Sequence, residues 1–126
     1  GMVFDANISI SVRCKKCGRL IVGDMSFFQM KNGRQVCVSC DCGEVVAKVK
    51  SRDFKTFHVL IPCIICGKDH KFIYTWKSVP WEKVKMLSCP SSSYDIAFIG
   101  GQDPIKNLVA KRKKDLEELI QVLSSI

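Results

Sequence analysis

In four stretches of the chain every second side chain is apolar, and most of the residues between them are polar. A period of two places the apolar side chains on one face of an extended strand, the pattern of strands with one buried face. The apolar positions are Ile8, Ile10 and Val12; Val45, Ala47 and Val49; Phe57, Val59 and Ile61; and Tyr94, Ile96 and Phe98. The alternation therefore predicts half-buried β-strands in these four places.

The last part of the chain changes to spacings of three and four residues, the period of an amphipathic helix. Asp103 is expected to cap this helix, and Pro104 suits its first turn. The apolar positions are Ile105, Leu108, Val109, Leu116, Leu119, Ile120, Leu123 and Ile126. Either docking onto the strands or homodimer formation would bury this stripe, and both remain open.

The strand pattern and the cysteines recur with an offset of 49 residues. The pairs that match are Cys14 with Cys63, Cys17 with Cys66, Gly18 with Gly67, and Cys40 with Cys89. In the first unit Asn32-Gly33 indicates a hairpin turn, and Val79-Pro80-Trp81 marks the corresponding bend less cleanly. The sequence thus predicts units at residues 2–50 and 51–101, followed by a helix at 102–126. The expected fold class is mostly β with a C-terminal helix, a small α+β protein.

The cysteine content, together with the lack of export signals, adds an expectation of bound metal. The 126 residues include eight cysteines, and no apolar run is long enough to span a bilayer. We therefore expect a cytoplasmic protein without a membrane partner, in which clustered thiols hold a metal rather than form disulfides. Two C-x-x-C-G segments, Cys14–Gly18 and Cys63–Gly67, would each aim two sulfurs at one point, and the glycine permits the tight turn.

These knuckles carry a family resemblance. A C-x-x-C-G segment followed 23 residues later by another cysteine, with hairpins between, resembles the zinc ribbon with its rubredoxin-like knuckles. The likeness covers residues 14–42 and 63–89 and extends to uncharacterised small bacterial ribbon proteins. It implies two tandem zinc-ribbon-like units that bind one or two Zn²⁺ ions, and it specifies metal geometry rather than function.

Five cysteines of the first unit compete for four tetrahedral positions. Cys14, Cys17 and Cys40 recur in the second unit, so the fourth ligand is Cys37 or Cys42. Two observations favour Cys42. The offset places Met86 opposite Cys37, which suggests a buried apolar position, and a glycine follows Cys42 as it follows the knuckles.

The second unit offers only three cysteines, Cys63, Cys66 and Cys89, and Ser91 falls where Cys42 would be. His70 could complete a set of three thiolates and one imidazole, which is a normal zinc site. A surface histidine and an unfilled, degenerate site are the alternatives. His58 is a weaker candidate because it lies on the strand face opposite to Phe57.

Neither catalysis nor electron transfer is favoured. The chain has no G-x-S-x-G, H-E-x-x-H, phosphate-loop or deaminase motif, and three thiolates would weaken the Lewis acidity of a zinc ion. A rubredoxin-like iron site remains chemically open, and it is the third hypothesis. We expect a protein that is not an enzyme.

The formal charge of +8 points towards acidic partners, and two filled metal sites would lower it to about +5. Phe72, Tyr74 and Trp76 share one strand face, which could form the core, stack on bases or dock a protein. The candidate contact residues are Lys15, Lys16, Arg19, Lys71, Trp76, Lys77 and Arg112.

The combined interpretation is a non-enzymatic interaction module with structural zinc. Nucleic acid, or a protein of transcription or translation, is the expected partner, because ribbons of this appearance are frequent in such proteins. The alternative is a protein–protein adaptor or dimeric scaffold that uses the C-terminal helix.

Overall fold

The computed structural model describes residues 7–26 and 35–126. Eight strands and one helix follow one another in these residues. They are β1 (Asn7–Arg13), β2 (Leu20–Ser26), β3 (Gln35–Ser39), β4 (Val45–Lys50), β5 (Thr56–Pro62), β6 (Asp69–Thr75), β7 (Val84–Ser88), β8 (Asp95–Gly100) and α1 (Gln102–Ser124). The predicted class, mostly β with a C-terminal helix, is confirmed. The predicted Asn32-Gly33 turn lies outside the described residues.

The strands form two antiparallel four-stranded sheets. The first sheet has the order β2-β1-β8-β7, and the second has the order β3-β4-β5-β6. Strand β1 pairs with β8, and β4 pairs with β5, so each sheet contains one hairpin from residues 2–50 and one from residues 51–101. The inner faces of both sheets contribute to one continuous hydrophobic core.

Alternation predicted the buried faces of β1 and β5 correctly. Ile8, Ile10 and Val12 are buried, and Phe57, Val59 and Ile61 are fully buried as well. Gly23 of β2 faces Val38 of β3 so closely that a Cβ atom on it would lie 2.3 Å from a Val38 methyl carbon. The two sheets therefore pack tightly at this point.

The predicted register of β8 is wrong by one residue. Tyr94 is exposed, and the buried residues are Ile96, Ala97 and Ile99. The cause is the turn that precedes this strand. The N–H of Cys40 donates to the carbonyl of Glu44, whereas the N–H of Cys89 donates to that of Tyr94, so the second turn has one more residue. Strands β1 to β3 correspond to β5 to β7 at an offset of 49, but β4 corresponds to β8 at an offset of 50.

The helix covers the outer face of the first sheet. Ile105 and Val109 are buried against that sheet, and the guanidinium of Arg112 lies 4.5 Å from the ring centre of Phe98. Small residues on the covered face, Ser9 and Ser11, are fully buried beneath it. Docking of the stripe onto the strands is thus observed for the first turns only, since every residue from 111 to 126 is exposed.

The predicted cap is wrong in detail. The N-cap residue is Gly101, which makes no side-chain capping bond, and Asp103 lies inside the first turn. A Cβ atom on Gly101 would lie 2.4 Å from the carbonyl oxygen of Trp81, so a larger capping side chain does not fit. The Asp103 carboxylate still faces the positive end of the helix dipole. Within the described residues, the helix is too polar to cross a membrane.

Candidate metal centres

Both cysteine clusters lie at the same end of the two-sheet body. The β1–β2 and β7–β8 turns of the first sheet are neighbours there because β1 pairs antiparallel with β8. The β3–β4 and β5–β6 turns of the second sheet adjoin in the same way. Each cluster draws ligands from one turn of each sheet, and the second cluster adds His70 of β6, so an ion at either cluster would join the sheets.

The first cluster consists of Cys14, Cys17, Cys40 and Cys42, whose sulfurs all lie within 4.8 Å of one another. The Sγ atoms of Cys14 and Cys42 are 3.6 Å apart, and those of Cys17 and Cys40 are 3.5 Å apart. Sulfurs bound to one tetrahedral zinc at 2.3 Å would be about 3.8 Å apart. The separations are therefore close to those of a four-thiolate zinc site.

Local hydrogen bonds shape the first knuckle. The N–H of Gly18 donates to the carbonyl of Cys14, and Gly18 has a φ of 76°, a conformation that glycine adopts without strain. The backbone N–H of Cys17, helped by that of Lys16, lowers the pKa of Cys14 to about 7. A lowered pKa favours the thiolate, which is the form that binds metal.

The opposing turn behaves differently. The backbone N–H of Cys42 lowers the pKa of Cys40, but burial and the neighbouring sulfurs of Cys17, Cys42 and Cys14 outweigh it and raise the pKa to about 12. Several thiolates cannot crowd together unless a cation compensates their charge. The donor set therefore fits a divalent ion better than it fits four free thiolates.

Cys37 lies apart from this cluster. It is exposed, and its sulfur accepts a hydrogen bond of 3.2 Å from the Gln35 side chain. The interpretation of position 37 as a buried apolar position is wrong, since Met86 at the corresponding position of β7 is also exposed. Both residues project from the outer faces of their strands.

The second cluster consists of Cys63, Cys66, His70 and Cys89. The Nε2 atom of His70 is 3.2 Å from the sulfur of Cys66. Two backbone N–H groups, those of Ile65 and Cys66, point at the sulfur of Cys63 at 3.3 and 3.5 Å. Burial raises the pKa of Cys63, whereas the Ser92 hydroxyl is the main cause that lowers the pKa of Cys89 to about 6.

Strand parity explains why His70 joins the cluster and His58 does not. His70 shares the inner face of β6 with Phe72 and Tyr74, whereas His58 lies on the outer face of β5 opposite Lys50 and Ile73. The alternation of β6 therefore predicts that His70 lies on the inner face. This is a second reason to assign it as a ligand, in addition to its spacing of four residues from Cys66. Three sulfurs and an imidazole form a donor set that fits zinc.

The position equivalent to Cys42 is Ser92, not Ser91. Cys42 directly precedes Gly43, which has a φ of 94°, and Ser92 directly precedes Ser93, which has a φ of 64°. The extra residue in the second turn shifts the correspondence by one. The Ser92 side chain forms a hydrogen bond with Cys89 in the second cluster. In the first cluster the corresponding residue, Cys42, contacts the sulfurs of Cys14 and Cys40.

The aromatic row belongs to the core instead of an exposed platform. Tyr74 is buried, and Phe72 and Trp76 pack against the core. The Trp76 ring stacks on Trp81 with centres 5.6 Å apart, and its Nε1–H donates to the carbonyl of Phe54. Trp76 is therefore occupied by packing, which argues against the hypothesis that it stacks on bases.

The other candidate contact residues do not form one surface. Lys15 of the first knuckle pairs with Glu44 at 3.9 Å, and Arg112 packs on Phe98. Lys16 and Arg19 are exposed near the first cluster, and Lys77 is exposed beyond the far end of β6. Only Lys71 lies on the outer face of the second sheet.

That outer face carries a set of cations that the sequence interpretation missed. Registers across β4, β5 and β6 place Lys48, Leu60 and Lys71 in one row and Lys50, His58 and Ile73 in the next. A shallow groove on this face is also lined by Arg52 and Asp53. We call Lys48, Lys50, Arg52 and Lys71 the cationic face; His58 lies among them. Comparisons with protein-family models, curated proteins and solved structures find no match to this chain.

Proposed function

We propose that the protein is a non-enzymatic module in which two Zn²⁺ ions hold the sheets together while the cationic face binds nucleic acid. The observation that carries the proposal is the open cationic face of the second sheet. The first sheet is covered by the helix, so the two outer faces differ in what they offer to a partner.

The donor sets support zinc in a structural role. Four protein ligands at each cluster would leave no open coordination position for substrate, and fully protein-ligated tetrahedral sites are typical of structural zinc. The bound ion would supply a cross-link between turns of different sheets. Elemental analysis of the purified protein should give two zinc ions per chain, and a red colour would identify iron instead.

The spacing of the cations supports recognition of a phosphate backbone. Lys48 and Lys50 lie two residues apart on β4, or about 7 Å, and Lys71 lies two strands from Lys48, or about 10 Å. Charges at such distances can contact successive phosphates of one strand. Asp53 is the acidic residue that lines the groove, and the N–H groups of Thr56 and Lys55 bond to its carboxylate and lower its pKa.

The face contains no phenylalanine, tyrosine or tryptophan side chain among its described residues, so binding should depend mainly on phosphates and show little base preference. Four Lys and Arg contacts to a single strand predict that log K falls with log salt at a slope of about −2 to −3. Fluorescence anisotropy with a labelled single-stranded oligonucleotide, titrated at several salt concentrations, measures this slope.

A matched pair of variants tests the location. Lys48→Glu with Lys71→Glu should weaken binding at least tenfold and flatten the salt slope. Lys106→Glu with Lys114→Glu makes the same change in net charge on exposed helix positions and should change affinity by less than threefold. Equal losses in both variants would contradict the assigned face, and retention of a protein partner without salt dependence would favour an adaptor.

A further inference from the structure

The second half of the helix presents an apolar surface that the rest of the chain does not cover. Leu116, Leu119, Ile120 and Leu123 are each more than half exposed, and Ile126 is 97% exposed. We call these five residues the exposed stripe. At 100° per residue Leu116, Leu119, Ile120 and Leu123 continue the same side of the helix that buries Ile105 and Val109 against the first sheet, and Ile126 follows the C-cap residue Ser125.

A stripe of this kind is unfavourable on a helix that stands alone. Surface helices derive most of their stability from the packing of an apolar face, and an isolated segment of about 12–15 residues is marginal in water. The residues from 111 onward form such a segment, since none of them is buried. This segment nevertheless carries the five large apolar residues of the exposed stripe.

We propose that the exposed stripe is the contact surface of a symmetric homodimer. Leu116, Leu119 and Leu123 follow the spacing of three and four residues that places side chains along a helix–helix seam, and Ile126 comes directly after the C-cap. A two-fold axis lets each copy contribute the same patch, so the stripe requires no different complementary surface.

The available area agrees with this occupant. Five exposed apolar side chains at about 100 Å² each offer about 500 Å² per copy, or about 1,000 Å² for two copies. That total lies at the lower limit for a specific interface, so the expected dissociation constant is micromolar. The docked first turns fix the direction of the helix, which reduces the entropy lost when two copies meet.

Charged residues agree with a seam of limited width. Lys114 and Glu118 lie on the opposite side of the helix from the stripe and remain in water. Lys111, Lys113, Lys114 and the acidic residues that follow them keep the remainder of the helix polar, which restricts association to the stripe. Arg112, on the side of the stripe, is already packed on Phe98. The cationic face is on the other sheet and stays open in such a dimer.

Sedimentation equilibrium of the metal-loaded full chain over 1–200 µM tests the proposal. The wild-type protein should pass from monomer to dimer mass within this range. Leu119→Lys with Leu123→Lys should raise the dissociation constant about 100-fold or more, because two apolar contacts per copy are replaced by charges. Ala110→Lys with Gln121→Lys adds the same charges on the opposite side and should leave the dimer unchanged.

A wild-type protein that stays monomeric at 200 µM would overturn the proposal, and so would equal effects of the two variants. Zinc content and far-ultraviolet circular dichroism at low concentration verify that each variant remains folded. The wild-type measurement needs no substitution, so it can disprove the proposal even if a variant fails to fold.

Discussion

The Sγ atoms of Cys14 and Cys42 lie 3.6 Å apart although Cys14 follows a strand of the first sheet and Cys42 lies in a turn of the second. A metal at this cluster would therefore join the sheets as well as close its own turns. The second cluster does the same with the sheets exchanged, since Cys63 belongs to the second sheet and Cys89 to the first. Metal loss should consequently affect both sheets.

Cys42→Ser should remove one metal per chain and destabilise the protein by several kcal/mol, because a structural zinc contributes on the order of 10 kcal/mol. Thermal melts and elemental analysis measure both effects. Cys37→Ser is the matched control, and it should keep both metals and change the melting temperature little. Hydrogen exchange that increases in the strands of one sheet only, either β1, β2, β7 and β8 or β3 to β6, would contradict the role of the site as a link between sheets.

His70→Ala should release the metal of the second cluster, whereas His58→Ala should not, because only His70 lies on the inner strand face. Adding Ser92→Cys to His70→Ala should restore binding, since position 92 corresponds to Cys42 of the first cluster. Cobalt substitution measures this through the sulfur-to-metal absorption band. A double variant that binds no second cobalt would disprove the assigned equivalence of residues 42 and 92.

The pH at which the second cluster loses its metal should depend on Ser92. Its hydroxyl is the main cause that lowers the pKa of Cys89 to about 6, so the thiolate persists above that pH and is lost as the pH falls through it. Ser92→Ala should raise this pKa, so that protons compete with the metal at higher pH and the release midpoint moves upward. Ser91→Ala, titrated in parallel by cobalt absorbance, should leave the midpoint unchanged.

Gly23→Ala should cost about 1–3 kcal/mol, because the added methyl group would overlap a side-chain carbon of Val38 across the core. Val38→Ala removes that carbon, so the double variant should recover part of the loss relative to the sum of the single variants. Urea unfolding of the four proteins measures the coupling. Strict additivity would show that the sheets do not meet at this point.

Much of the fold followed from residue patterns. Alternation identified the inner faces of β1 and β5, and the spacing of three and four residues identified the helix. The faces were predictable because burial repeats with the geometry of each element. The exact register of β8 was not, because an additional residue in the preceding turn moves every side chain of that strand to the other face.

The sequence pattern did not predict which strands pair with each other. Alternation reveals which side of β1 is buried, but it does not identify β8 as its neighbour, since pairing depends on the whole topology. The cationic face was missed for a related reason. Lys71 lies more than 20 residues after Lys48 and Lys50 in the chain, and only the pairing of β4, β5 and β6 brings it close to them.

The pairing of β1 with β8 also governs how the protein can assemble during synthesis. Ser9 has to wait for Gly100 to leave the ribosome before the centre of the first sheet can close. Contacts between distant parts of a chain form slowly, and β1 exposes an unpaired edge and its apolar face during that interval. We therefore expect the nascent chain to need protection from aggregation until β8 has emerged and paired with β1.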